Sequence, residues 1–259
     1  MHLKIDISFD FRSDSNGKDP DSSSPTLRSY HRFLWSKGLP IGEQLELEEV
    51  GPNLIYRFNM QTIEFSSDSI SNSFTGTKKI SHLLETVEYW EFEEFRDKGS
   101  TIGGYLIFPS KREGGTMTIN GARGFNNKIA DRFDLTLECI RLHYSGLENP
   151  LQGTFNTLPN HLFFGLFKDF KGYVNFFLLQ DLVESDYQRV KFFTHIERPF
   201  EDSPIPKTAA DYRMYKESTL EFVRLRGERI GQWARSSNRQ SEALGRRFNS
   251  GQGRNSDDT

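Results

Sequence analysis

Apolar and polar residues alternate one by one at the start of the chain: Leu3, Ile5, Ile7 and Phe9 are separated by Lys4, Asp6 and Ser8. A period of two is that of a half-buried strand. The polar run SDSNGKDPDSSSP over 13–25 closes on Ser24-Pro25, an N-cap and first-turn pair that predicts a helix as far as Trp35. Strands are predicted over 44–50, 53–58 and 61–66, the last two as a hairpin. In the Glu-rich stretch 78–96, apolar residues at 80, 83, 84 and 87 predict a helix. TIGGYLIF (101–108) and TMTI (116–119) predict two strands joined by PSKREGG. The second half reads as helices over 127–144, 160–170, 172–183 and 209–235, with KFFTHI (191–196) as one more strand. From Ser236 the chain is dominated by Ser, Asn, Gly, Arg and Gln, which predicts a disordered tail over 239–259. Strands precede helices, so the class is α+β: mostly antiparallel N-terminal strands, then C-terminal helices, in a single domain over 1–238.

Composition sharpens this picture in three places. Phe is unusually frequent, at 23 of 259 residues, so the core is expected to be Phe-rich. The net charge is −3, with an acidic first hundred residues and a slightly basic remainder; no basic field spans the chain, which argues against binding nucleic acid by bulk charge. Cys139 is the only cysteine, which excludes an internal disulfide and a cysteine-based zinc site and fits a reducing, cytoplasmic setting. The N-terminus lacks the apolar core of a secretory signal. The most apolar stretch, 162–179, is interrupted by Lys168, Asp169, Lys171 and Asn175, so no membrane partner is expected.

The candidate chemistry gathers in TINGARGFNNKIADRFDLTLECIR (118–141). On a helix over 127–144, Ile129, Phe133, Leu137, Ile140 and Tyr144 form one apolar stripe, and Leu135 and Leu142 form a second line on nearly the opposite side. Such a helix is central, covered on two sides. One seam between the stripes carries Asp131, Asp134, Glu138 and Arg141; the other carries Arg132, Thr136, Cys139 and His143. Carboxylates at this spacing are either a salt-bridge network or a general acid/base or metal cluster, with Asp131, Asp134 and Glu138 as the candidate catalytic residues. The spacing matches no specific metal motif, and no cofactor is assigned. Gly121, Gly124 and the Asn residues suggest a tight turn that presents Arg123 at the helix N-terminus, where free N–H groups favour an anion. Asn120, Arg123, Asn126, Asn127 and Arg141 are the candidate ligand-binding residues; the competing expectation is that Arg123 pairs with the protein's own carboxylates. GARGFNN is neither a P-loop nor a dinucleotide fingerprint.

Weaker signals are TIGG (101–104), a close approach of backbone to a neighbour; YHRFLW (30–35), able to stack a base; a Cys139–His143 pair; and the basic run Arg224, Arg226, Arg229, Arg235 with Arg239, Arg246 and Arg247. The strings SPTLRSYHRFLWSKGLP, TINGARGF, DRFDLTLECIR, FKGYVNFFLLQDLV and DLVESDYQRVKFF resemble a family of bacterial proteins known only as a domain of unknown function. The resemblance covers most of residues 4–235. It implies a bacterial cytoplasmic origin and one continuous domain, and transfers no catalytic roles. The functional expectation is a protein that binds a phosphate-bearing ligand, a nucleotide or nucleic-acid end, near residues 118–144, with hydrolase or transferase chemistry open to it. The alternative is a non-catalytic interaction or structural domain whose charged helix is an internal salt-bridge network.

Overall fold

The computed structural model describes residues 3–51, 53–58, 60–74 and 78–251, with side chains described as far as Arg239. Four strands form one antiparallel sheet in chain order: β1 (Glu48–Val50), β2 (Asn53–Phe58), β3 (Gln61–Ser69) and β4 (Tyr105–Pro109). The β2–β3 hairpin pairs Leu54 with Phe65 and Tyr56 with Ile63, so the apolar residues of both strands share a face. Strand β1 is an exposed edge, whereas all five residues of β4 are buried.

Nine helices accompany the sheet among the described residues: α1 (Pro20–Ser23), α2 (Pro25–Trp35), α3 (Tyr89–Gly99), α4 (Ile119–Phe125), α5 (Phe133–Tyr144), α6 (Gln152–Phe155), α7 (Leu158–Gly165), α8 (Phe170–Phe177) and α9 (Ala209–Gly251). Helix α2 begins where the sequence places it. Ser24 Oγ accepts from Leu27 N at 3.0 Å, Pro25 fills the first turn, and Leu27, Tyr30, His31, Leu34 and Trp35 form the buried face. The α+β class and the Phe-rich core are as expected. Phe155, Phe163, Phe164, Phe167, Phe176 and Phe177 pack with Tyr173 at centroid distances such as 5.1 Å for Phe163–Phe167 and 5.0 Å for Tyr173–Phe177.

Several elements differ from their sequence patterns. Residues 3–9 form no strand: Leu3, Ile5, Ile7 and Phe9 are half-buried against the core, but the segment has no ladder partner among the described residues and turns at Ile7–Ser8, where Phe9 N donates to Asp6 O (3.4 Å). It is held instead by Asp6 N to Tyr30 Oη (2.9 Å) and Asn238 Nδ2 to Leu3 O (3.3 Å). The 78–96 helix is two pieces, a 3₁₀ turn over Lys78–Leu83 and then α3, whose start is set by a capping box between Glu88 and Glu91. TIGG is a 3₁₀ turn (Ile102–Gly104) ahead of β4, and TMTI leads into α4. The KFFTHI strand is absent; Val190 makes one isolated bridge to Val183. Helix α9 continues through Gly251, past the boundary expected at residue 238, and residues 252–259 lie outside the described residues. No described helix is long and apolar enough to cross a membrane.

Helix α5 is central, as its two apolar lines require. Its first eight residues, Phe133 to Ile140, are all buried, which needs neighbours on every side. The glycine at 103 marks a close approach: a Cβ there would run into Val223 O, so the Ile102–Gly104 turn seats directly on α9. Arg226, fully buried on α9, fastens that seat by donating Nη1 to Gly103 O and Tyr105 O, each at 2.8 Å.

Candidate functional site

Residues 118–144 are built differently from a turn and one helix. Thr118 Oγ1 accepts from Gly121 N (3.2 Å) and caps α4, so Arg123 stands in the last turn of a short helix, not ahead of α5. The left-handed backbone falls not on Gly121 or Gly124 but on Ala130 (φ 50°) and Asp131 (φ 70°). Each such residue costs about 1–2 kcal/mol, so the surroundings must hold them. Arg123 supplies that hold. Its guanidinium is fully buried and donates Nη1 to Asp68 Oδ2 (2.7 Å) and Nη2 to Asp131 O (2.6 Å), with Nε 3.2 Å from Asp131 Oδ1. Ser73 Oγ donates to Asp131 O (2.8 Å) and is itself bonded by Tyr215 Oη (3.0 Å); Lys79 Nζ donates to Ala130 O (3.1 Å).

The expected catalytic carboxylates are separated and engaged. Asp131 belongs to Arg123. Asp134, fully buried, forms a bidentate pair with Arg132 and accepts Phe193 N at 2.9 Å. Arg132 Nη1 reaches Thr194 Oγ1 (2.9 Å) and Pro204 O (3.1 Å), which ties α5 to the 191–208 loop. Glu138 pairs with Arg141 through Nε–Oε2 (2.7 Å) and Nη2–Oε1 (2.6 Å). Three separate pairs therefore replace the single acidic seam, and among the described residues no three His, Cys, Asp or Glu side chains gather as a metal site. Of the expected ligand-binding residues, Asn126 caps α4, donates Nδ2 to Pro150 O (3.2 Å) and lines a shallow depression with Phe125 and Leu151, Asn127 is exposed, and Asn120 lines a cavity against α1 and α2. Cys139 is sealed in the core, where burial pushes its thiol up, away from the reactive thiolate. The basic run of α9 is largely consumed: Arg224 pairs with Glu221 and Glu228, Arg226 is internal, and Arg229 pairs with Asp181.

The cavity at Asn120, about 350 Å³, lies between α1, α2, the β2–β3 hairpin and α4. Its wall includes Asp19, Asp21, His31, Ser67 and Asn120, and the Asp68–Arg123 pair is continuous with it through β3 and α4. Ser67 and His31 are in contact, Oγ to Nε2 at 2.9 Å. Trp35 Nε1 donates to His31 Nδ1 (2.9 Å), and an indole N–H can only donate, so the imidazole proton sits on Nε2 and is given to Ser67. Burial first, and Arg226 second, hold His31 down to about 3, so it stays neutral. The pair therefore runs opposite to an activated serine: His31 gives Ser67 a proton to share and cannot take one. Ser67 keeps its own O–H and stands near the Asp21 carboxyl, which it pulls down.

Asp21 is the unusual member. The residue as a whole is half-buried, but its Oδ1 is sealed from solvent and has no hydrogen-bond partner. Burial first, then the nearby Asp68 and Asp19 carboxylates, push it well above the ordinary range, against the pull of Ser67 and Arg123. Sequence pattern did not single out Asp21, His31 with Ser67, or Asp68. The usable signal was SSDS at the end of β3, where Ser67, Asp68 and Ser69 are polar yet buried in a strand.

A second polar feature lies at the C-terminus of α8. Lys37 Nζ donates to Phe176 O (2.6 Å) over the rings of Trp35, Phe176 and Trp233, and Arg226 Nε donates to Phe177 O (3.1 Å). The two cations satisfy carbonyls that the helix end leaves open, and the negative end of its dipole favours them. Burial first, then Arg226, lowers Lys37 to about 7.

The fold and the site together define an α+β domain in which a buried arginine–aspartate network underlies a small polar cavity. The chain belongs to the family of unknown function DUF6994, which matches residues 5–230 and so agrees with the resemblance and its extent. No curated protein and no solved structure matches it.

Proposed function

We propose that the protein binds a small polar molecule in the cavity between α1, α2, β3 and α4, and that the Arg123 network is the scaffold holding β3 and α4 in place. The observation that carries this reading is the cavity itself, whose wall brings Asp19 and Asp21 together with Ser67, Asn120 and the neutral His31. The volume of about 350 Å³ lies in the range of small-molecule sites. A carboxyl raised by burial and by a neighbouring carboxylate is also equipped for general acid chemistry, which keeps hydrolase or transferase activity within the proposal. A phosphate-bearing ligand fits this site poorly, because Asp19 and Asp21 face the cavity and the Arg123 guanidinium is spent on Asp68 and Asp131. The bacterial cytoplasmic setting belongs to the same reading, supported by the family resemblance and the single free, buried cysteine.

The test is a thermal-shift panel of sugars, amines, nucleotides and divalent cations on the wild type and on Asn120→Trp, which fills the half-exposed wall of the cavity. A ligand at 100 times its Kd adds about 2.7 kcal/mol of stability, so a true ligand raises Tm clearly. The expected result is a stabilising compound whose effect disappears in Asn120→Trp while the ligand-free Tm stays close to wild type. A compound that stabilises both proteins equally places the site elsewhere.

A further inference from the structure

We infer that the outer face of the 111–128 segment binds single-stranded nucleic acid, with Phe125 as the platform on which a base stacks. This surface shares no lining residue with the cavity at Asn120 and does not depend on it. Phe125 stands in the last turn of α4 and is 81% exposed. It is the only exposed phenylalanine among the described residues; the others are buried or half-buried in and around the core. Its ring forms the rim of a shallow depression of about 540 Å³. Met117 and Leu151 add apolar surface there, and Asn126 and Thr154 add hydrogen-bonding groups. That mixture suits a nucleobase, which offers a flat π-face and a polar edge.

The charge around the depression selects the partner. Lys111 and Arg112 precede its 115–117 edge, Lys128 follows Phe125 and Asn126, and Lys79 reaches in from the 3₁₀ turn with Nζ 3.1 Å from Ala130 O. Lys111, Arg112 and Lys128 are exposed and make no ion pair among the described residues, unlike Arg224 and Arg229 on α9. Of the carboxylates on the adjoining segments, Glu113 accepts Leu158 N at 2.6 Å and Asp131 is held by Arg123, which leaves Glu148 against these cations. A polyanion is therefore the complementary partner. Cations flanking an exposed ring match the way single strands are held, with the backbone on the charges and a base on the ring. A duplex keeps its base faces stacked inside and leaves the ring unused. Phosphate contact thus falls on this outer face, whereas the Arg123 guanidinium is enclosed by its own carboxylates.

The full chain is titrated into a fluorescent oligothymidylate of about 12 nucleotides, within the site sizes of single-strand binders, and polarisation is followed across a salt series. The same strand annealed to its complement, polyglutamate and phosphatidylserine vesicles are compared at equal charge. The single strand is expected to bind more tightly than any of these by about fivefold or more, the least that one stacked base contributes. Phe125→Ala should remove that preference without lowering Tm, because the ring it deletes is exposed. Lys111→Gln, Arg112→Gln and Lys128→Gln together should flatten the slope of log K against log salt by about 2, at about 0.7 for each phosphate contact. Duplex, polyglutamate or vesicles binding as tightly as the single strand overturns the nucleic acid. Single-strand binding that Phe125→Ala leaves intact, or a slope that the triple replacement leaves unchanged, overturns this face as the site. No binding of the single strand at about 50 mM salt, where phosphate contacts are strong, overturns both.

Discussion

Arg123 touches two carboxylates and a carbonyl from a fully buried position, so its removal leaves Asp68 without its partner and frees the left-handed pair Ala130–Asp131. Arg123→Ala should therefore destabilise the protein by about 3–5 kcal/mol, the usual cost of breaking a buried ion pair. Arg123→Lys should lose most of that as well, because an ammonium cannot span Asp68 and the Asp131 carbonyl as the guanidinium fork does. Urea melts of both variants decide it; a loss below about 0.5 kcal/mol, typical of a surface change, would show that the network does not hold the fold. Asp68 gives a pH signature. Burial, against the pull of Arg123, pushes its carboxyl up to about 6, whereas the unfolded chain titrates near about 4. The native state thus binds a proton that the unfolded state releases. The contribution is complete below about pH 4 and is lost as pH rises through about 6. Asp68→Asn should flatten that part of the stability curve, read from urea midpoints across the window; an unaltered slope would mean that Asp68 titrates as it does in the unfolded chain.

Helix α5 shows what periodicity can establish for an element. The second apolar line through Leu135 predicts cover on the far side, and Leu135 is 1% exposed. Leu135→Ala should cost about 2–5 kcal/mol in a denaturant melt, against near zero for a solvent-facing leucine. Helix α2 was equally legible, since capping at Ser24-Pro25 and an apolar face both depend on near neighbours in sequence. Other elements were misread for identifiable reasons. Alternation over 3–9 describes any extended segment with one side against a core, and only a hydrogen-bonding partner makes it a strand. The start of α5 moved to Phe133 because Ala130 and Asp131 take left-handed backbone, which a tertiary contact from Arg123 maintains and no local glycine announces.

Helix α9, 43 residues and about 65 Å long, joins parts of the molecule that are distant in sequence. Arg226 clasps the Ile102–Gly104 turn and the end of α8, Arg229 meets Asp181, and Tyr215 reaches Ser73. Deleting residues 239–259 keeps all of these contacts, so Tm should change by less than about 2 °C, the scale of a change worth well under 1 kcal/mol. A larger fall would show that the distal part of α9 docks on the domain. By itself the sequence determined the α+β class, the β2–β3 hairpin, α2, the burial of α5 and the Phe-rich core, because each follows from local propensity and the spacing of apolar residues. It also narrowed Arg123 to two roles, anion holder or internal partner. Only the tertiary structure decided between them, by bringing Asp68 from a strand 55 residues away to 2.7 Å from its guanidinium. The cavity depends on the same long-range assembly. Asp21, His31, Ser67 and Asn120 come from four separate elements, and the state of each is set by neighbours that no sequence window contains: the indole that fixes the imidazole proton, and the burial that leaves one carboxylate oxygen without a partner.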